Sequence, residues 1–167
     1  MNSRLNSSWP VVFLDYDGVL HPAEVYWYRG QMVSMRHGMS LFEWAPMLVR
    51  ALAPHPKAQL VLSTTWVRML GFEAARKRLP HQLQARVVGS TWQAHRSGEW
   101  EHLSRYEQIM QYVRRHNCRR WVAVDDDIEN WGGEHRDRLV ATDSEFGLGD
   151  VEKLQELRQK LACFHGE

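Results

Sequence analysis

The sequence predicts an α/β fold, a mostly parallel sheet covered by helices on both faces. Two observations carry this. Short apolar runs rich in β-formers alternate along the chain with segments of helical apolar spacing. Three of those runs also end abruptly in Asp, Ser or Thr, and ligands of parallel sheets bind beyond the carboxyl ends of the strands.

Val11-Val12-Phe13-Leu14 is too short for a helix and reads as a buried strand, broken by Asp15-Tyr16-Asp17-Gly18. Residues 19–40 mix aromatics with Pro22, Gly30 and Gly38 and read as a long loop or a small hairpin flap. Pro46 suits the first turn of a helix carrying Met47, Leu48, Ala51 and Leu52, which Pro54 and Pro56 end. Ala58–Leu62 is the second strand, closing in Ser63-Thr64-Thr65. One helix is then expected from about Trp66 to Leu79, stopped by Pro80. Arg86–Gly89 reads as a short strand and Thr91–Glu101 as a polar loop. Arg105–His116 places Ile109, Tyr112 and Val113 at helical spacing, and Trp121–Val124 is a strand running into Asp125-Asp126-Asp127. Arg138–Ala141 is a last strand, and Asp150 caps a final helix with Val151, Leu154, Leu157 and Leu161.

Composition narrows the class. The 167 residues fit one domain, 1–167, and the 44% hydrophobic and 25% charged fractions are those of an ordinary globular protein. The net charge of +1 gives no global argument for nucleic-acid or membrane binding. No run of about 20 apolar residues and no apolar leader is visible, so no membrane partner is expected. Cys118 and Cys163 lie far apart without a CxxC pattern, which argues against a disulfide framework or zinc knuckle and fits a reducing cytoplasm. The nine histidines form no HExxH or HxxxH pair, and the eight tryptophans read as core and pocket walls.

In a parallel sheet the three polar strand ends lie on one edge, so Asp15, Asp17, Ser63, Thr64 and the 125–127 acids converge. Carboxylates so placed cannot all stay charged without a cation. Oxygen-only ligands select a hard metal, and Mg²⁺ accepts a few carboxylates plus water and phosphate.

These segments resemble the haloacid dehalogenase (HAD) superfamily of phosphohydrolases. Val11–Leu20 is similar to its first motif, hhhhDxDGxL; Leu60–Thr64 to the second, a strand ending in Ser or Thr; and Val122–Asp126 to the fourth, a strand ending in paired acids. Asp-Gly-Val-Leu-His-Pro, Ser-Thr-Thr-Trp, the helix opening at Arg105 and Gly147-Leu148 resemble the small HAD domains also found in multi-enzyme RNA-repair proteins. The resemblance implies a Rossmann-like three-layer fold and phosphomonoester hydrolysis with Mg²⁺. It implies Asp15 as nucleophile and Asp17 as general acid and base, whose main-chain carbonyl also binds the metal. Asp126 is then the first choice for the further metal ligand, with Asp125 binding or positioning it. Gly18 lets both first-motif carboxylates face the site, and Gly18, Ser63 and Thr65 join the substrate-binding set. Thr64 is the first choice for the hydroxyl that holds a phosphoryl oxygen and Ser63 a close second, since one residue of register decides between them. The third motif is usually a lysine, and here the sequence departs: no lysine lies between Lys77 and Lys153. Arg105 is the best substitute, as a bidentate clamp rather than a point charge.

About 40 residues separate Asp17 from the second strand and fewer than 60 separate Thr64 from Trp121, leaving no room for a large cap domain. The site is expected to be open, suiting a nucleotide, a nucleic-acid end or another phosphoester, with no obligate protein partner visible. A flap over about 20–41 carries His21, Tyr26, Trp27, Tyr28 and Arg29, which either stack a nucleobase or staple the segment to the core. Arg114, Arg115, Arg119 and Arg120 form a basic patch expected on the edge opposite the chemistry. Two competing readings are a non-catalytic HAD-fold binding or regulatory domain, disfavoured by the intact Asp15 and Asp17, and a phospho-acceptor receiver domain, disfavoured by motif order.

Overall fold

The computed structural model describes residues 5–29, 31–34, 38–92, 97–100 and 102–165. Its centre is a five-stranded parallel sheet. The strands are β1 (Val11–Leu14), β4 (Gln59–Leu62), β5 (Val87–Ser90), β6 (Trp121–Asp125) and β7 (Leu139–Ala141), in the order β5-β4-β1-β6-β7. Two further strands, β2 (Val25–Tyr28) and β3 (Gln31–Ser34), pair antiparallel as a separate hairpin. The helices are α1 (Ala45–Leu52), α2 (Thr65–Leu70), α3 (Phe72–Arg76), α4 (His81–Gln84), α5 (Ser97–Trp100), α6 (Arg105–His116) and α7 (Val151–Ala162).

Strand alternation divides the core into two. Val12 and Leu14 of β1, Leu60 and Leu62 of β4, and Val122 and Val124 of β6 point to one face, where they pack with Leu48, Leu52, Trp66, Leu157 and Leu161 of α1, α2 and α7. Val11, Phe13, Val61, Trp121 and Ala123 point to the other face and meet Ile109, Met110 and Tyr112 of α6. Phe13 sits edge-on to Tyr112 and Trp121 at 5.6 and 5.8 Å between ring centroids. A strand buried on both faces must be apolar throughout, which is why β1, β4 and β6 read as unbroken apolar runs.

The helix expected over Trp66–Leu79 is broken. Gly71 adopts φ +86, ending α2 and opening α3, and Pro80 then leads into the additional short helix α4. The expected loop Thr91–Glu101 contains α5, and its residues 93–96 and 101 lie outside the described residues. By contrast α6 has the predicted bounds. Ser104 and Glu107 form a reciprocal capping box at its start, and Asn117 closes it in the left-handed conformation. The segment over about 20–41, read as a long loop or a small flap, carries the β2–β3 hairpin; Gly30 and residues 35–37 lie outside the described residues. Among the described residues no helix is long and apolar enough to cross a membrane, and Cys118 and Cys163 are free thiols.

Candidate active site

Register builds the site. Leu14 of β1 is level with Leu62 of β4 and Val124 of β6. The next residues, Asp15, Ser63 and Asp125, therefore stand side by side at the carboxyl edge, tied by Asp15 N–H to Val124 O (3.2 Å) and Ser63 N–H to Leu14 O (2.9 Å). Leu14 and Val124 face the α1–α7 layer, so Asp15 and Asp125 face the α6 layer. Arg105, the first residue of α6, meets them there. Its Nε lies 3.2 Å from Asp125 Oδ2 and its Nη2 3.6 Å from Asp15 Oδ2, with all three side chains largely buried.

Asp15, Asp125 and Asp126 each offer a carboxylate oxygen, and these lie within 4.8 Å of one another. The electrostatic cost is visible in each group. Burial raises the pKa of Asp15, and Asp17 adds to the rise, while Arg105 and hydrogen bonds from Tyr16 N–H and the Thr64 side chain oppose it. Burial, then Asp15, pushes Asp125 well above the ordinary carboxylate range. Burial and Asp15 push Asp126 up to about 6. Burial disfavours the Arg105 cation, yet Asp15 and Asp125 outweigh it and its pKa rises. One guanidinium thus faces three crowded carboxylates.

The donor set fits a hard cation. It is all oxygen. Asp125 Oδ1 accepts the Asp127 N–H at 3.0 Å, whereas its buried Oδ2 accepts no hydrogen bond from the described residues. Gly18 keeps the space beside Asp126 open: at φ +68, a Cβ there would come within 2.2 Å of Asp126 Oδ2. Its carbonyl is held by the Thr142 hydroxyl at 2.8 Å. Asp127 turns away from the cluster and accepts the Glu129 N–H at 2.8 Å.

The hydroxyls divide as register dictates. Thr64 hydrogen-bonds Asp15 and caps α2, while Ser63 Oγ turns to the Thr91 hydroxyl at 3.5 Å. Thr65 is exposed on the first turn of α2.

Asp17 borders this charged cluster but has its own hydrogen-bond partners. His21 Nε2 is 3.0 Å from its Oδ1, and the Trp66 indole N–H bridges Oδ1 and Oδ2 at 2.9 and 3.0 Å. Sequence reasoning missed both partners, placing His21 on the flap and Trp66 as a helix opener. The sequence signal was available: His21 is four residues beyond Asp17, and Trp66 two beyond Thr64. Of the other flap residues, Tyr26 and Tyr28 are exposed, and Arg29 lies over the Tyr28 ring at 5.3 Å.

A family model described as the HAD domain in Swiss Army Knife RNA repair proteins matches residues 11–152. The chain belongs to this family. The match spans every strand of the sheet and every residue of the cluster, and it makes the chain a HAD-type phosphohydrolase domain. No curated protein and no solved structure matches it. The HAD fold accounts for the convergence of the first, second and fourth motifs on one edge. Gly147, in the similar Gly147-Leu148 segment, adopts φ +45 with a Cβ position 2.4 Å from the Trp44 ring, so only glycine fits. The basic residues Arg119 and Arg120 precede β6 at the far edge, where Arg120 is committed to the carbonyls of Phe164 and Ser8.

Proposed function

We propose that this HAD domain is a Mg²⁺-dependent phosphomonoesterase acting through an aspartyl phosphate on a phosphorylated nucleic-acid end. One observation carries the reading: Asp15 is packed against Asp125, Asp126 and Arg105 at the strand edge, a carboxylate excess that calls for a cation, through which a phosphate could approach. Asp15, the main-chain carbonyl of Asp17, Asp125 and Asp126 would hold Mg²⁺. Bound there, the ion would offset the charge of carboxylates and phosphate and polarise the phosphoryl group.

The protein's own groups divide the rest. The Asp15 carboxylate, with Oδ1 fixed by the Tyr16 N–H at 2.7 Å, attacks phosphorus as the ester oxygen departs. Asp17 gives that oxygen a proton. Water then attacks the phosphorus of the aspartyl phosphate, passing a proton back to Asp17, and inorganic phosphate leaves as the Asp15 carboxylate is regenerated. Thr64 holds a phosphoryl oxygen, with Gly18, Ser63 and Thr65 as neighbouring contributors. Arg105 takes the place of the motif-three lysine, bracing Asp15 and Asp125 from the head of α6.

Support for a nucleic-acid end comes from three sides. The family description concerns RNA repair proteins. Among the described residues no large insertion covers the strand edge. The exposed Tyr26 and Tyr28 with Arg29 suit stacking on a base and attraction of a phosphate. The test is hydrolysis of p-nitrophenyl phosphate with Mg²⁺, with EDTA, and by Asp15→Asn. We expect metal-dependent release that disappears in the variant; equal rates with EDTA or in Asp15→Asn would overturn the mechanism. Oligonucleotides phosphorylated at the 3′ or 5′ end, compared with free nucleotides, then test the substrate class.

A further inference from the structure

We infer that His21 and Trp66 are positioning residues that clamp Asp17 as the acid of the reaction. This rests on the phosphomonoesterase reading above. Four observations carry it. Both donors reach the same carboxylate: His21 Nε2 at 3.0 Å from Oδ1, and Trp66 Nε1 at 2.9 and 3.0 Å from the two oxygens. Both are built into the core, His21 at 0% and Trp66 at 1% exposure, while Asp17 keeps 23% of its side chain exposed. The tautomer of His21 is set from behind, since the Phe42 N–H donates to Nδ1 at 3.3 Å. Nδ1 therefore carries a lone pair and Nε2 the proton, so His21 meets Asp17 as a neutral donor. Finally, Phe42 occupies the left-handed region at φ +61, a rare conformation for a bulky residue, and this conformation accompanies the N–H contact with the ring.

The surroundings are apolar. Phe42 lies edge-on to Tyr16, His21 and Trp66 at 5.1, 4.9 and 5.4 Å, and Tyr16 and His21 each lie 5.7 Å from Trp66. Buried in this wall, the two donors orient the carboxylate. Oδ1 meets both donors and Oδ2 only the shared indole N–H, so Oδ2 is the oxygen with room for the proton. In the first step that proton passes to the departing ester oxygen as the phosphorus–oxygen bond breaks. In the second it is replaced from the attacking water. Orientation of this kind matters when the leaving oxygen needs a proton and little when it does not.

The test uses that difference. The value of kcat/KM, which reports steps through departure of the first product, is measured for p-nitrophenyl phosphate and for a phosphorylated oligonucleotide end. Nitrophenolate leaves unaided; a sugar alkoxide does not. Trp66→Phe removes the N–H and keeps an aromatic ring, and His21→Leu removes the other donor. We expect the ratio of oligonucleotide to nitrophenyl kcat/KM to fall about tenfold or more in each. In His21→Gln, whose amide can donate from a similar reach, we expect much of the ratio to return. A folded Trp66→Phe and a folded His21→Leu with the wild-type ratio would overturn the inference, because a merely structural role lowers both substrates together. An activity-independent readout covers a variant that fails to fold: the Trp66 indole N–H resonance should move in Asp17→Asn, and an unmoved resonance overturns the clamp. Wild-type protein that hydrolyses neither ester overturns the phosphomonoesterase reading itself, a failure seen before any variant is made.

Discussion

Asp15 and Asp17 are two residues apart on one turn, yet their surroundings differ in kind. Asp15 is packed among Asp125, Asp126 and Arg105, with three carboxylates around a single guanidinium. Asp17 is met by two N–H donors set in a wall of rings. The first environment is charged and undercompensated, and it asks for a cation. The second is neutral and directional, and it fixes an orientation. Gly18 separates the two: its left-handed turn follows Asp17, and the space where its Cβ would lie belongs to Asp126. Two acids of one motif are thereby assigned different work by what surrounds them, not by their own chemistry.

The largest effects should come from breaking the charged side. Asp15→Asn should lower turnover at least about 10³-fold, as loss of a nucleophile does. Arg105→Met leaves Asp15 and Asp125 without their cation and should cost about 10²–10³-fold in kcat, the scale of removing one preorganised electrostatic partner. Arg105→Lys keeps the charge but loses the fork that reaches both acids, so it should fall between the wild type and Arg105→Met. Lys equal to Met in steady-state kinetics would show that the fork, not the charge, is what matters.

A smaller effect should follow from disturbing the boundary. Gly18→Ala puts a methyl 2.2 Å from Asp126 Oδ2 and demands φ +68 of a residue with a Cβ. The backbone term alone costs about 1–2 kcal/mol. Displacement of Asp126 should weaken Mg²⁺ binding by about tenfold in calorimetry, a loss of roughly 1.4 kcal/mol. Unchanged affinity with a lowered Tm would place Asp126 outside the metal shell.

Most of the sheet was legible because β1, β4 and β6 are buried on both faces, and a doubly buried strand leaves an unbroken apolar run. Helix α6 was legible because its pattern and its Ser104 cap agree. The single helix read over Trp66–Leu79 failed at Gly71, where apolar spacing continued through a residue whose φ of +86 ends a helix. At the site, the residues placed by strand register were readable, since one edge collects the strand ends. Two features were not. The choice between Thr64 and Ser63 needed the side-chain directions, and these set Thr64 against Asp15 and Ser63 against Thr91. The donors to Asp17 come from a turn and a helix start, neither of which has a periodicity to read. A buried histidine that bonds one carboxylate looks, in sequence, like any other of the nine.

The smallest effect sharpens the comparison without any substrate. Burial and Asp15 raise the Asp126 pKa to about 6 in the metal-free fold, above its value of 3.8 in the absence of those neighbours. A group raised in this way leaves stability intact below the unfolded value and takes it away as pH climbs through the folded one. Metal-free protein should therefore lose stability between about pH 4 and pH 6 on account of Asp126. Asp126→Asn removes that loss, so its Tm should exceed that of the wild type at pH 8 and approach it at pH 4. The side chain is only partly buried, and solvent screening reduces the gain to about 1 kcal/mol, a few degrees in a domain of this size. With Mg²⁺ added at pH 8 the order should reverse, because the ion stabilises the wild-type carboxylate and finds a weaker ligand in the amide. Thermal denaturation of both proteins across that pH range, with and without Mg²⁺, reads all four conditions. A Tm difference that does not vary with pH would mean that Asp126 carries no strain from its charged neighbours.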